Sequence, residues 1–445
     1  MDTLPLPPRP NLAQYRKRAK ALVAAASSGD PHAVHRWAVE WLTRLTELLG
    51  VGITPFVQHS FDRAVAGIEA AVGERIAATA SAGSGLRVAH AQHLIARAHG
   101  FDSWSAFAAH VRGLGVSDPA TADFEAGADA VVDGDLERLD ALLREHPSLV
   151  RQRSHREHRA TLLHYVAANG VEDFRQRTPP DAVAVATRLL DAGAGVDALA
   201  ETYGGGVYQT PMNLLVSSTH PAEAGLQSAL VEVLLDYGAA IDGLDGNGSP
   251  ILTALAFGYR DAADTLARRG ARIDHVVVAA AIGRVDLVEA WVIDGRTLAT
   301  HHQPYRGPYW VRIPDEARQQ IEMALVWACR FGRDNVARAL LHHGVDPAAR
   351  DGDRMTALHW AAASGSIEIV DALLTRGAPL EVPNVWGGTV LDSTVYFAMH
   401  QPMAGANYPR IIERLLAAGA NVAAVDPSGT GIQEVDQVLA QWRTP

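Results

Sequence analysis

The sequence predicts an all-α protein: a helical N-terminal segment followed by a solenoid of helix-turn-helix repeats joined by short hairpin loops. Two observations carry that expectation. The first is that Thr356–Pro383 holds two helical patterns back to back. Leu358, Ala361 and Ala362 form one narrow apolar stripe, and Ile367, Val370, Leu373 and Leu374 form the other. Thr356 is placed to cap the first helix, and Gly365 and Gly377 stop the two helices, since glycine takes the left-handed conformation at low cost. The second is recurrence: Gly332 precedes Gly365 by 33 residues, and Gly344 precedes Gly377 by 33. One such unit cannot bury both of its faces, so it needs copies of itself on either side.

Length and composition agree. A chain of 445 residues exceeds one compact core, a limit that a stack of nearest-neighbour repeats escapes. The net charge of −11, from 39 basic and 50 acidic residues, argues against non-specific nucleic-acid binding. Cys329 is the single cysteine, which excludes an internal disulfide and a cysteine-based zinc site. The start, MDTLPLPPRP, lacks the basic-then-apolar pattern of a secretory signal, and no run of about 18 apolar residues suggests a membrane span. A cytoplasmic protein is the expectation. Nearly all the basic residues are Arg, which points to a GC-rich bacterial genome.

In chain order, Pro5, Pro7, Pro8 and Pro10 keep the start extended. Asn11 then caps a helix over 12–27, whose first half carries Arg16, Lys17, Arg18 and Lys20. That run reads first as a solvated face and second as a phosphate or nucleic-acid contact. Helices are expected over 31–49 and from 55 to 72 or beyond Gly73, followed by a connection at Ser81–Gly85. Arg87–Val111 reads as two short helices broken at Gly100, with Ser103 capping the second. Of its histidines only His90 and His93 share a face, and they are read as surface or core-edge side chains, not metal ligands.

The TALHWAA stretch beginning at Thr356, together with the 33-residue spacing, resembles the ankyrin repeat. TLLHYVAANG, beginning at Thr161, carries the same resemblance. The segment 1–115 is similar to a small helical domain found ahead of ankyrin repeats in many bacterial proteins, and no function comes with that likeness. The resemblance implies about eight repeats over 124–445, the seventh being the stretch described first, with Gln433–Trp442 as a C-terminal capping helix. Insertions interrupt the second repeat at Val171–Asp181, the third around Ser217–Ser228, and the eighth between Ser393 and Leu415. Gly258 and Gly283 lie only 25 residues apart, so the hairpin before the fifth repeat is missing or collapsed.

No nucleophile elbow, zinc-protease helix, phosphate loop or dinucleotide fingerprint is present, so no catalytic residue, cofactor or metal is assigned. Cys329 sits at a small-residue position and reads as buried. The resemblance makes His164 and His359 structural. Asn213 and Asp392 replace that histidine, which puts the bond in doubt and leaves two polar side chains near the concave side.

Arg296–Arg318 is the most unusual segment, a Pro-broken loop holding His301, His302, Tyr305, Arg306, Tyr309, Trp310 and Arg312. Aromatic and Arg side chains dominate binding hot spots, and they could equally fill the space of the missing hairpin. Tyr203 and Tyr208 flank a glycine-rich hairpin, and Trp386 stands at a hairpin tip. The candidate partner-binding residues are therefore Tyr203, Tyr208, His301, His302, Tyr305, Arg306, Tyr309, Trp310 and Trp386. The resemblance implies a monomeric scaffold that binds a protein on its concave face, with no nucleic-acid or membrane partner. The alternative is an enzyme or small-molecule binder with a pocket in the groove under the 296–318 loop.

Overall fold

The computed structural model describes residues 3–7, 10–49, 55–80, 85–113, 119–172, 175–202, 207–299, 303–308, 311–426 and 429–443. Most of the connection expected at 81–85 lies outside the described residues. The chain has an all-α repeat fold and divides into two compact units, residues 1–240 and 241–445.

In the first unit, α1 (Leu12–Ala26) packs on α2 (Ala33–Leu49) and α4 (Val88–Ala98); α3 (Pro55–Ala80) and α5 (Trp104–Arg112) complete the group. The caps are those the sequence marks. Asn11 Oδ1 accepts from Ala13 N at 2.8 Å, and Ser103 Oγ accepts from Ala106 N at 3.1 Å. Leu22, Leu42, Ile95 and Phe107 are fully enclosed, as is Leu4 of the extended start. Then follow α6 (Pro119–Asp133), α7 (Leu136–Glu145), α8 (Leu162–Val166) and α9 (Ala182–Asp191). A minimal hairpin of β1 (Ala200–Glu201) and β2 (Tyr208–Gln209) leads to α10 (Pro211–Leu215), α11 (Thr219–Glu223) and α12 (Gln227–Asp236). The insertion in the third repeat thus includes a helical turn of its own, α11.

A buried ionic core lies inside this unit. Arg156 is fully buried and reaches Glu172 at 2.8 Å, Glu125 at 3.4 Å and the Leu4 carbonyl at 3.1 Å. Arg175 reaches Glu125 at 2.8 Å, Glu172 at 3.3 Å and Asp129 at 2.8 Å. Burial alone would raise both glutamates; the two guanidiniums outweigh it and hold the carboxyls below the usual range. Tyr165 donates to Glu172 at 2.7 Å, and His99 Nδ1 lies 3.0 Å from the Leu4 carbonyl. The extended N-terminal arm and the first repeats are therefore tied to one polar core.

In the second unit, α13 (Ser249–Phe257) and α14 (Arg260–Arg268) precede α15 (Val276–Ile282) and α16 (Val285–Trp291). A second hairpin, β3 (Val292–Asp294) with β4 (Thr297–Leu298), leads to α17 (Ala317–Arg330) and α18 (Asp334–His342). The pairs α19 (Ala357–Ala363) with α20 (Ile367–Thr375), and α21 (Val390–His400) with α22 (Tyr408–Ala417), follow, and α23 (Gln433–Arg443) closes the chain. First helices pack in sequence, α15 on α17, α17 on α19, α19 on α21; second helices α16, α18, α20 and α22 form a parallel layer. α15 is apolar all round, and Val276–Ala281 are wholly enclosed. Leu373 is fully buried between layers, and Gly332 and Gly365 take positive φ of 60° and 83°.

Two expectations are corrected here. The segment from Arg296 is not loop at its start, because Thr297–Leu298 pair with Val292–Asp294. Gly295 in that turn lies so close to the next repeat that a Cβ would stand 2.5 Å from the Gly344 carbonyl oxygen. Asp392 is not a free polar side chain: its Oδ2 accepts from Thr389 N at 3.0 Å and Thr389 Oγ1 at 2.8 Å, reproducing the cap that histidine makes elsewhere.

Candidate functional site

The residues after the second hairpin are held down by one tyrosine and one arginine. Tyr305 donates its hydroxyl to the Arg272 carbonyl at 2.6 Å and accepts from Asp274 N at 3.3 Å. Its ring lies against Gly248, where a Cβ would meet it at 2.3 Å, and meets His275 edge-on at 5.9 Å. Arg272 covers the ring at 4.3 Å and donates to the Gly246 carbonyl at 2.9 Å, to Pro304 at 3.2 Å and to Asp274 at 2.8 Å. Arg306 N donates to the Asn247 carbonyl at 3.1 Å, while its guanidinium stays in solvent, 3.9 Å from Asp245. The segment is thereby seated on the 242–248 turn. Tyr305 acts there as an anchor, its hydroxyl spent on backbone groups.

Trp386 stands on a differently built turn. Asn384 Oδ1 accepts from Trp386 N at 2.9 Å and Gly388 N at 3.0 Å, while its amide donates to Ser393 Oγ at 3.1 Å. This bracing fixes the backbone and leaves the indole 75% exposed. Tyr208 on β2 of the first unit is 58% exposed. Tyr203, His301, His302, Tyr309 and Trp310 lie outside the described residues. The structure brings Tyr305 and Arg306 together and places Trp386 on its own turn.

The first helices of the second unit carry further aromatic residues that the sequence reading did not single out. Arg330 donates to the Ala256 carbonyl at 3.0 Å and lies 5.0 Å from the Trp360 ring. Trp360 Nε1 donates to Asp351 at 2.7 Å, and its ring stands 5.8 Å from Phe397. Tyr396 is 5.9 Å from Phe397 and 4.6 Å from His400. Tyr396, Met399 and His400 are exposed at i, i+3 and i+4, so they share one side of α21. The signal was available: VYFAMH puts apolar residues around the whole helix, and one side has to face water.

The histidines of the signature positions are structural. His164 Nε2 lies 2.9 Å from the Ala198 carbonyl, and its Nδ1 accepts from Thr161 N at 3.1 Å. His359 Nδ1 accepts from Thr356 N at 3.1 Å. Burial pulls both down to about 4. Cys329 is buried and its thiol is pushed up, the opposite of an activated nucleophile. Among the described residues no group of three His, Cys, Asp or Glu side chains could hold a metal ion, and no helix is long and apolar enough to cross a membrane.

Residues 276–384 match the family described as ankyrin repeats (three copies). That stretch of the chain is built of ankyrin repeats. The match spans α15 through α20, the layered part of the second unit. The potassium channel KOR2 of Oryza sativa subsp. japonica is 38% identical over 63 residues, 14% of this chain and 9% of that one. The chain thus spans less than a tenth of the length of that relative. The human ASB11 ankyrin repeat domain aligns over 68% of this chain and 99% of its own, with 21% identity and a TM-score of 0.32.

Proposed function

We propose that this ankyrin-repeat protein is an interaction scaffold that binds a protein partner through its concave face, the first helices and turn tips of the second unit. The carrying observation is Trp386: a large aromatic side chain, three-quarters exposed, on a turn braced by hydrogen bonds of Asn384 and its neighbours. An exposed indole on a fixed backbone loses little entropy on binding, which is what an anchor residue requires. Tyr396, Met399 and His400 on α21 extend the candidate surface, and Tyr208 is a candidate in the first unit. Tyr203, His301, His302, Tyr309 and Trp310 stay in the proposal on residue type alone.

A bacterial, cytoplasmic, monomeric protein without nucleic-acid or membrane partner completes the reading, with a helical module over 1–115 ahead of repeats from 124. The groups under the 303–308 segment favour anchoring over chemistry: Arg272, Asp274 and Tyr305 are engaged with backbone groups and with one another. A photo-crosslinking residue at position 386 tests the proposal. Efficient transfer to one protein in the source cell, lost when the same probe stands at exposed Glu137 on α7, supports it. Equal labelling from both positions overturns it.

A further inference from the structure

The segment 303–308 lies across turn tips of the second unit, part of the face assigned above to a partner. It touches the turn before α13 through Arg306 and the turn before α15 through Tyr305. Gly307 packs on Leu252 of α13, where a Cβ would come within 2.9 Å. The Tyr305 ring fills a pocket with Gly248 as its floor, Arg272 over one face and His275 edge-on.

The pocket is braced by bonds among its own residues. Arg272 N donates to Asp242 Oδ1 at 2.8 Å, and its guanidinium donates to the Gly246 carbonyl at 2.9 Å and to Asp274 at 2.8 Å. Gly248 N donates to the Asp242 carbonyl at 2.9 Å, and Ser249 N to Asn247 Oδ1 at 3.1 Å. His275 is fixed as the N-cap of α15, its Nδ1 accepting from Val277 N at 3.2 Å. Each of these bonds survives departure of the segment. A cavity braced in this way binds without the cost of ordering its walls.

The segment itself belongs to no helix or strand, and Gln303, Pro304 and Arg306 are exposed. It is held at Pro304, Tyr305 and Arg306 by bonds to Arg272, Asp274 and Asn247. Such a stretch opens locally at lower cost than the helix layers behind it. Opening leaves the pocket empty, with the Arg272 and Asn247 carbonyls at its edge for another chain to meet. The occupant in place shows what fits: a flat ring on a bare glycine, a hydroxyl that donates to the Arg272 carbonyl, and an extended backbone that donates to Asn247.

We infer that the Tyr305 pocket is a recognition site for an extended, tyrosine-bearing peptide, filled in cis by the chain's own 303–308 and taken over by such a segment of the protein partner. The 303–308 segment is then an autoinhibitory strap. The partner half of the inference rests on the scaffold reading. The peptide titration below needs no partner, so the two can fail separately.

The probe is a fluorescein-labelled peptide of residues 303–308, QPYRGP, titrated by fluorescence anisotropy into the full-length native protein and the full-length Tyr305→Ala variant. A tethered segment has an effective concentration on the order of 1 mM, so a strap seated about nine-tenths of the time requires a Kd on the order of 0.1 mM for the free peptide. Saturable binding of that strength, at one site per chain, is expected on Tyr305→Ala, and binding about tenfold weaker on the native protein. The same peptide with phenylalanine in place of tyrosine should bind Tyr305→Ala about tenfold more weakly, because it lacks the donor. Adding Gly248→Ala to Tyr305→Ala raises the floor and should abolish binding, with circular dichroism confirming that the protein is folded. The protein captured by the probe at position 386 should bind Tyr305→Ala about tenfold more tightly than it binds the native chain. Absence of saturable peptide binding to Tyr305→Ala up to about 1 mM overturns the inference. So does equal affinity for the native protein and the variant, or equal affinity of the tyrosine and phenylalanine peptides. Equal or weaker binding of the captured protein to Tyr305→Ala overturns the partner half.

Discussion

Replacing Arg156 by Met should destabilise the first unit and reverse the way its stability responds to acid. Arg156 is wholly buried and pairs with Glu172 at 2.8 Å and Glu125 at 3.4 Å. With Arg175 the four groups balance in charge; without Arg156, one negative charge is left uncompensated. Breaking a buried pair from one side costs about 3–5 kcal/mol, because the surviving charge stays desolvated. In the native protein the Glu172 carboxyl is held below its ordinary value of 4.5. Its contribution is therefore present above that pH and lost as pH falls through the folded value. In the variant burial prevails and the carboxyl titrates above 4.5, so the penalty at neutral pH should shrink as pH falls toward 5. Urea unfolding at pH 7.5 and 5.5, with hydrogen exchange of α4 and α6 amides as the local readout, measures both effects. Arg156→Met with Glu172→Gln should recover much of the loss by restoring neutrality. A loss below about 1 kcal/mol, or a variant no less destabilised at pH 5.5 than at 7.5, would refute the reasoning.

Other outcomes follow from the same coordinates. Leu373→Ala should cost about 2–5 kcal/mol in urea unfolding, since the side chain is fully enclosed between helix layers. Gly248→Ala should cost about 2–4 kcal/mol, because φ is +71° and the new Cβ would displace the Tyr305 ring; limited proteolysis should then cut near 303–308 faster than in the native protein. Buried His110, His164 and His359 are pulled down to about 4, and His99 to about 3, from an ordinary 6.5. Stability they confer is full above 6.5 and lost as pH falls toward 4, at about 1.4 kcal/mol per pH unit for each histidine in a cooperative unit, so His359→Asn should flatten the acid slope of the second unit. Cleavage between 113 and 122 should leave the two fragments co-eluting, because Arg156 holds the Leu4 carbonyl across the cut; two separated peaks would contradict that.

The repeats were legible because their information is local. A capping Thr356, an apolar stripe, and Gly365 at positive φ all act within a few residues, and period and hydrophobicity reveal them. The caps at Asn11 and Ser103 were readable for the same reason. The ionic core was not, because its members come from separate segments: Arg175 and Glu125 are 50 residues apart, and Arg156 and Leu4 are 152 apart. No local pattern marks a charge that will be buried. The loop around Tyr305 shows a second limit. Residue type alone cannot separate an anchor from a contact, and only the hydroxyl bonded to the Arg272 carbonyl assigns Tyr305 to the first role. Asp392 shows a third: a carboxylate accepts the same two hydrogen bonds as an imidazole nitrogen, so a departure from the repeat signature preserved the cap.

The direct test of the scaffold reading is a paired measurement on Trp386→Ala combined with Tyr396→Ala, using the protein captured by the probe at position 386. Both side chains are more than half exposed, so the melting temperature should stay within about 2 °C of the native value. Affinity for the partner should fall by more than about 2 kcal/mol, roughly thirtyfold. Unchanged affinity in a folded double variant would contradict the account.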